Sequence, residues 1–269
     1  MKFIIDQDYH IHSRLSPCSN DPEQTPERIL AYAEEAGLKD IVLTDHFWDA
    51  DVPTPLRIWG GFEVIEKSLP LPKGKNVRFH FGCECDMDRF STVGLDKKNA
   101  DRLDFIIVPI NHLHFKERTI AAGDFDSADA RRNAFVQRFW NLLQMDYPFH
   151  KMGLAHLTDG LVAGGMKDAS FETHLEILDG IPDDTFRMLF SRMAELGMGL
   201  ELNVNTDRYE GKNRERMLRP YRLARACGCK FYTGTDAHHP SGFESGLRHM
   251  RQITEWLDLT EEDKFRPFG

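Results

Sequence analysis

The stretch Asp8-Tyr9-His10-Ile11-His12 decides how the chain is read. It follows Lys2-Phe3-Ile4-Ile5 and reads as the end of a first β-strand. Side chains alternate across a strand, so Asp8, His10 and His12 are expected on one face. Two imidazoles at i and i+2 can hold one metal ion from one side, and neutral imidazole is a common metal ligand. Two histidines at a strand end can equally be satisfied by neighbouring hydrogen bonds. The rest of the chain weighs between these readings, because histidines and carboxylates recur after later apolar runs, at the same end of each run.

Thr25-Pro26-Glu27 has the composition of a helix start, with Thr25 as N-cap and Pro26 at the first helical position. Ile29, Leu30, Ala33 and Ala36 form the apolar stripe and Gly37 ends the helix. A second strand at 41–44 runs into Asp45-His46. This is the β–α–β spacing of a parallel sheet. Further strands are expected at 77–85, 104–109, 152–155, 199–202 and 230–233. Helices are expected near 62–68, over 128–145, from Asp183 to Gly197, and over 214–226, where Pro220 kinks or divides the last of them. The tail after the seventh strand carries one or two short helices. Long strand-to-helix segments at about 46–76 and 111–150 are placed to shape a site. No repeat, low-complexity segment or linker interrupts the pattern. Seven strands alternating with helices favour one parallel, barrel-like α/β domain over residues 1–269. An open doubly wound sheet is the alternative, but the chain has no G-x-G-x-x-G or P-loop.

The 269 residues are 41% hydrophobic and 29% charged, ordinary for a globular protein. The formal net charge of −9 argues against a nonspecific duplex-binding role. It is compatible with a small anionic substrate, because bound metal can reverse the field locally. No apolar run is long enough to span a membrane, and Met-Lys-Phe-Ile-Ile-Asp is no signal peptide. Five cysteines, an odd number, point to a reducing compartment, and the cytoplasm is expected.

The strand ends carry His10 and His12, Asp45 and His46, Glu84, His112, His156, Asn203, and Asp236 and His238. In a parallel barrel these ends converge on one mouth. Six of the twelve histidines fall in these positions, whereas a surface scatter would put most on helices and loops. Imidazole plus carboxylate without thiolate suits zinc, iron or manganese. Cys83 and Cys85 flank Glu84 and should point away from it, so they and Cys227 and Cys229 are not expected to form a separate zinc site. His114 could replace His112, but His112 is preferred. Asp45 is read as orienting an imidazole rather than binding metal, since adjacent strand residues point apart. His80, His150, His174, His239 and His249 are read as structural or surface residues.

Asp8-Tyr9-His10-Ile11-His12, Thr44-Asp45-His46, Gly82-Cys83-Glu84-Cys85-Asp86, Asn111-His112, Ala155-His156 and Gly234-Thr235-Asp236-Ala237-His238 together resemble the polymerase and histidinol phosphatase (PHP) family in order and approximate spacing. The resemblance implies a distorted (β/α)7 TIM-like barrel with two or three divalent transition metal ions. It implies that His10, His12, Glu84 and Asp236 hold one ion, that Glu84 bridges to a second held by His112 and His156, and that His46 and His238 hold a third. The family adds one more ligand, His or Asp, after the first motif. Pro17 stands at that position here, with Cys18 and Asp21 nearby.

The implied activity is hydrolysis of a phosphate ester by metal-activated hydroxide, on a small phosphorylated metabolite such as histidinol phosphate. Glu84, Asp236 and Asp45 are the expected catalytic residues, and Arg208 and Lys116 the expected substrate-binding cations. A phosphodiesterase or exonuclease on nucleotides is the alternative, disfavoured by the lack of a basic, aromatic-interleaved stretch. A metal-dependent amidohydrolase would need a strand-end lysine, which is not found. A degenerate metal-binding regulatory domain would not be expected to retain so complete a ligand set.

Overall fold

The computed structural model describes residues 1–53 and 59–268. Residues 54–58, part of the long segment expected at 46–76, lie outside the described residues. The elements in order are β1 (Gln7–Ile11), α1 (Pro26–Ala36), β2 (Asp40–Leu43), β3 (His46–Phe47), α2 (Phe62–Ile65), β4 (Arg78–Cys85), β5 (Phe105–Val108), α3 (Ala128–Leu142), β6 (Met152–Leu154), α4 (Phe171–Asp179), α5 (Asp183–Leu196), β7 (Gly199–Leu202), α6 (Lys212–Ala226), β8 (Lys230–Thr233) and α7 (Gly242–Trp256). Seven strands pair in parallel in the order β1-β2-β4-β5-β6-β7-β8. The two-residue β3 continues β2 beyond a break and pairs with β4, His46 opposite Glu84.

The sheet curls until β8 meets β1. The Asp236 N–H donates to the His10 carbonyl at 2.7 Å, and the His12 N–H donates to the Ala237 carbonyl at 3.1 Å. The expected barrel is therefore present, closed by the strands that carry His10, His12 and Asp236. Two helices differ from expectation. α4 was not among the helices expected, and the tail, expected to carry one or two short helices, forms the 15-residue α7.

Helix boundaries follow local chemistry. Thr25 accepts from the Arg28 N–H, and Gly37 closes α1 at φ 71°. Alternation assigns strand side chains to two environments. Ile106 and Val108, Leu200 and Leu202, and Cys83 and Cys85 belong to the large core beneath the helices. Tyr9, Val42, Phe105, Ile107, Ala155 and Tyr232 fill the barrel interior with Phe265. Phe268 closes the bottom by stacking on His80 at 3.6 Å between ring centroids. His80 is thus structural, as expected.

β1 departs from simple alternation. Asp8 is opposite Ile41 but Ile11 is opposite Leu43, so three steps on β1 match two on β2. One extra residue makes a bulge, which re-aims side chains. Tyr9 and His10 consequently both face the interior cluster. Asp8 does not share their face, contrary to the alternation argument: its carboxylate accepts from Tyr32 of α1 at 3.0 Å and from the Thr235 hydroxyl at 2.8 Å and N–H at 3.0 Å. It ties β1 to α1 and to the loop carrying Asp236.

A second device holds the loop after β5. The buried face of α3 includes Arg131 and Arg138 as well as Phe135, Phe139 and Leu142. Arg138 donates to the carbonyls of Ile110 at 2.9 Å, Asp88 at 2.9 Å, Thr119 at 3.3 Å and Pro109 at 3.4 Å. Two of these carbonyls immediately precede Asn111-His112. Burial pushes the Arg138 guanidinium down to about 10, still charged at neutral pH. Arg138→Met keeps the length but strands buried carbonyls. It is expected to cost about 3 kcal/mol in urea unfolding and to raise amide exchange at Leu113; a variant as stable as the parent would show these bonds to be redundant.

Candidate metal centre

Above the aromatic layer the barrel interior becomes polar. His10, His12, Glu84 and Glu201 are at most 1% exposed, and His46, His112 and His156 at most 8%. The alternation of β4 points His80, Gly82 and Glu84 inward, and that of β7 points Glu201 inward. His156 and Asp236 are brought in by unusual backbone, at φ 24° and 52°. Non-glycine residues in this region are strained, and such strain clusters at functional sites.

Glu84 lies between two histidine groups. Its Oε2 is 2.8 Å from His46 Nδ1, 3.5 Å from His12 Nε2 and 3.6 Å from His10 Nε2. Its Oε1 is 3.0 Å from His156 Nε2 and 3.8 Å from His112 Nε2. Asp236 Oδ1 is 3.0 Å from His12 Nε2 and 3.3 Å from His10 Nε2. The histidine pair itself is 3.0 Å apart, Nε2 to Nε2.

Most of these imidazoles are held by their other nitrogen. His10 Nδ1 lies 2.8 Å from Glu201 Oε1, His112 Nδ1 2.7 Å from Asp86 Oδ1, and His238 Nδ1 2.8 Å from the Asp236 carbonyl. These partners only accept, so each Nδ1 carries the proton. Asn111 donates its amide to the His156 carbonyl at 2.9 Å, leaving its Oδ1 to accept from His156 Nδ1 at 3.0 Å. Ser16 gives its one hydroxyl proton to Asp45 at 2.6 Å and so accepts from His12 Nδ1 at 2.9 Å and from the His46 N–H at 3.1 Å. In these five rings Nδ1 is occupied, so Nε2 is the nitrogen left to face a cation. Such fixed tautomers are the arrangement found behind metal-bound histidines.

The spacing supports the same reading. Tetrahedral zinc with bonds of about 2.0–2.1 Å sets neighbouring ligand atoms about 3.3 Å apart. The five separations given above among His10, His12, Glu84 and Asp236 lie between 3.0 and 3.6 Å. Four three-residue groups here can each hold an ion: His10, His12 and Glu84; His10, His156 and Asp236; Glu84, His112 and His156; and His12, His46 and His238. The buried Asp236 Oδ1 and His46 Nδ1 have no hydrogen-bond partner among the described residues.

In the absence of ions, protons take their place. Burial opposes charging His156, but Glu84 outweighs it and pulls the ring up to about 9. Burial likewise opposes charging His10, where Glu201, Asp236 and Glu84 prevail and raise it well above the usual imidazole value. His12 goes the other way, because burial is reinforced by the neighbouring His238 and His46. Burial would raise Glu84, but His46 and His10 hold it well below the usual carboxylate range.

All eight residues expected as ligands meet in this cluster. Asp45 lies just outside it. Its oxygens accept from the Ser13 N–H at 2.7 Å and from the Ser13 and Ser16 hydroxyls at 2.7 and 2.6 Å. It reaches His12 through Ser16. Lys116 is exposed with its ammonium 5.5 Å from the Phe125 ring centre. Arg208 lines a cavity of about 250 Å³ with His174, Asn205 and Tyr209. That cavity shares Val204 and Asn205 with another of about 320 Å³, lined by Asp236 and His238. His114 has its ring 5.1 Å from that of His112 and belongs to none of the four groups.

Glu201, Asp86 and Ser16 were not singled out from the sequence. Glu201 had a visible signal, a lone charge within the apolar strand Gly-Leu-Glu-Leu. It accepts from the His156 N–H at 2.6 Å as well as from His10. Asp86 also accepts from the Trp59 indole, whose ring stacks on His46.

No protein-family model and no curated protein matches the sequence. A solved structure does. The fold is similar to that of a histidinol phosphate phosphatase. That enzyme, from Lactococcus lactis subsp. lactis, was crystallised with zinc, L-histidinol and phosphate. The match has a TM-score of 0.59 at 16% identity and covers 97% of this chain and 99% of that one. The likeness is therefore one of fold along the whole chain.

Glu201→Gln removes a charge beside His10 while keeping the shape. In metal-free protein the His10 ring is expected to titrate at lower pH than in the parent, followed by long-range ¹H–¹⁵N spectra of the imidazoles. An unmoved His10 would contradict the pairing.

Proposed function

We propose that this protein is a metal-dependent phosphomonoesterase acting on a small phosphorylated metabolite, histidinol phosphate or one like it. The observation that carries the reading is the Glu84 carboxylate, with one oxygen toward His10, His12 and His46 and the other toward His112 and His156. In this reading His10, His12, Glu84 and Asp236 hold one divalent ion. Glu84, His112 and His156 hold a second, and His46 and His238 a third. Zinc, iron and manganese all accept such ligands, and the zinc in the similar phosphatase favours zinc. Ions held there supply Lewis acidity, which ionises water near neutral pH and offsets phosphoryl charge.

The chain's own residues do the positioning. The Glu201 carboxylate orients the His10 ring and fixes His156 by accepting from its backbone N–H. Asp45 acts through Ser16 on His12 and His46 and is a positioning residue. Asp236 lies between the cluster and the cavity of about 320 Å³, a volume suited to a small ligand. Arg208, across the adjoining cavity, is placed to meet an anionic part of the substrate. Lys116 has no part in this arrangement. The five cysteines are all free, which supports a cytoplasmic setting. Among the described residues no helix is long and apolar enough to cross a membrane.

Purified protein is expected to hydrolyse p-nitrophenyl phosphate in preference to the bis ester, and histidinol phosphate in preference to both. Preference for the bis ester would overturn the monoesterase reading. Glu84→Gln is expected to abolish turnover and lower the content of two ions at once by elemental analysis; normal turnover would sink the bridging role.

Ion binding should also be pH-dependent. His10, His46 and His156 are raised above the ordinary imidazole value, so at pH 7 the metal-free protein carries protons that a cation must displace. Adding zinc in weak buffer is expected to release protons, and affinity should rise with pH up to about 9, the value for His156. Zinc uptake without proton release would contradict the assigned ligands.

A further inference from the structure

Trp59 lies against the metal centre without belonging to the apolar core. Trp140 and Trp256 pack against the large core beneath the helices, whereas Trp59 is half-buried and in none of the apolar clusters among the described residues. Its indole meets polar groups of the centre instead. The indole N–H donates to Asp86 Oδ2, and Asp86 Oδ1 accepts from His112 Nδ1 at 2.7 Å. The indole face stacks on the His46 ring, with centroids 4.3 Å apart and planes 13° apart, and the ring meets Phe115 edge-on at 6.0 Å. One side chain thus touches a ring proposed for the third ion and the carboxylate that orients a ring proposed for the second.

The chain is built to deliver it there. Trp48 directly follows β3, and its N–H donates to the Gly60 carbonyl at 3.0 Å, so the chain returns beside His46 immediately after Trp59. A Cβ on Gly60 would lie 2.3 Å from Val64 Cγ2, and one on Gly61 would lie 3.2 Å from the Trp48 carbonyl oxygen. Glycine at both positions is what lets the chain return so closely.

We propose that Trp59 is a positioning residue that couples two ion positions, holding Asp86 against His112 by its N–H and bracing His46 by its face. The proposal rests on the metal-centre reading above and adds to it a side chain that is no ligand. An imidazole that binds a cation becomes electron-poor, and an indole face attracts such a ring. Asp86 is fully buried, with one donor on each oxygen among the described residues. Without the indole N–H one buried oxygen is left unpaired, and the carboxylate no longer holds a single orientation toward His112.

The test compares the full-length parent with Trp59→Phe, which keeps an aromatic face for His46 but has no N–H, and with Trp59→Leu, which has neither. Each is stripped of metal and titrated with zinc against a chromogenic chelator. Trp59→Phe is expected to weaken one ion about 10-fold, and Trp59→Leu to weaken two by about 10–100-fold. Turnover of p-nitrophenyl phosphate by the zinc-loaded proteins is expected to fall in kcat in the same order, with KM little changed. Cobalt(II) is expected to quench part of the parent's tryptophan emission, and most of that loss should vanish in Trp59→Phe. Should Trp59→Leu fail to fold in urea-unfolding controls, Trp59→Phe decides alone. Zinc affinities equal to the parent's, or the same cobalt quenching with and without Trp59, would overturn the role of Trp59 and leave the ions in place. A parent that binds neither zinc nor cobalt would overturn the metal-centre reading and the proposal together.

Discussion

A buried carboxylate must be compensated, and Glu84 at 1% exposure is the carboxylate around which the upper barrel is arranged. Removing an ion from water costs several kcal/mol even after relaxation. Below it are Tyr9, Phe105 and Tyr232, which offer no counter-charge. The balance has to come from the side, and imidazoles supply it because they accept either a proton or a metal. Glu201, Asp86 and Asp236 then act on those imidazoles in turn. The layer pairs carboxylates with imidazoles that hold protons at neutral pH, and a metal cation entering it has to displace them.

That layer could not be built by regular strands alone. Alternation lets one residue in two face inward, yet Tyr9 and His10 both do so because β1 gains a residue between Asp8 and Ile11. Ala155 and His156 are both used on the interior side because His156 turns at φ 24°. Asp236, at φ 52°, enters by the same means. Backbone in such regions costs of order 1–3 kcal/mol per residue. The Asp236 N–H to His10 bond that holds one of these turns also closes the barrel, and the His156 N–H to the Glu201 carboxylate holds the other between β6 and β7. Barrel closure thus brings Asp236 beside His10 and His12.

The same distinction explains what was legible in the sequence. Strand ends could be read because apolar runs stop where polar residues begin, and the residues of the cluster lie at those stops. His10, His12, Glu84, His112, His156 and Asp236 were found in this way. Asp8 was misplaced because a bulge leaves no mark in composition. Asp45 looked catalytic because adjacency to His46 says nothing about Ser13 and Ser16, which occupy its oxygens. Arg131 and Arg138 share a helical face with Phe135, Phe139 and Leu142, but arginine counts as polar in any periodicity, and the carbonyls that accept from it come from distant loops. The tail was expected to carry one or two short helices; α7 is longer than that, packing Phe243, Met250 and Ile253 as one 15-residue element.

The buried arginines show how stability and chemistry are separated in this barrel. A loop leading to a ligand cannot be fixed by apolar packing alone, since its backbone carbonyls face inward and must be satisfied. Carboxylates or histidines used as anchors there would compete for the same cations as the centre. A guanidinium donates without accepting, cannot bind a metal, and stays charged at neutral pH even when burial lowers it to about 10. Arg138 therefore holds the carbonyls before Asn111-His112 from the outer face without entering the electrostatics of the inner one. The loop after β1 is anchored by hydroxyls instead: Ser16 accepts from the His46 N–H and Ser19 donates to the His238 carbonyl, so the loop and the backbone of those two histidines are held by the same bonds.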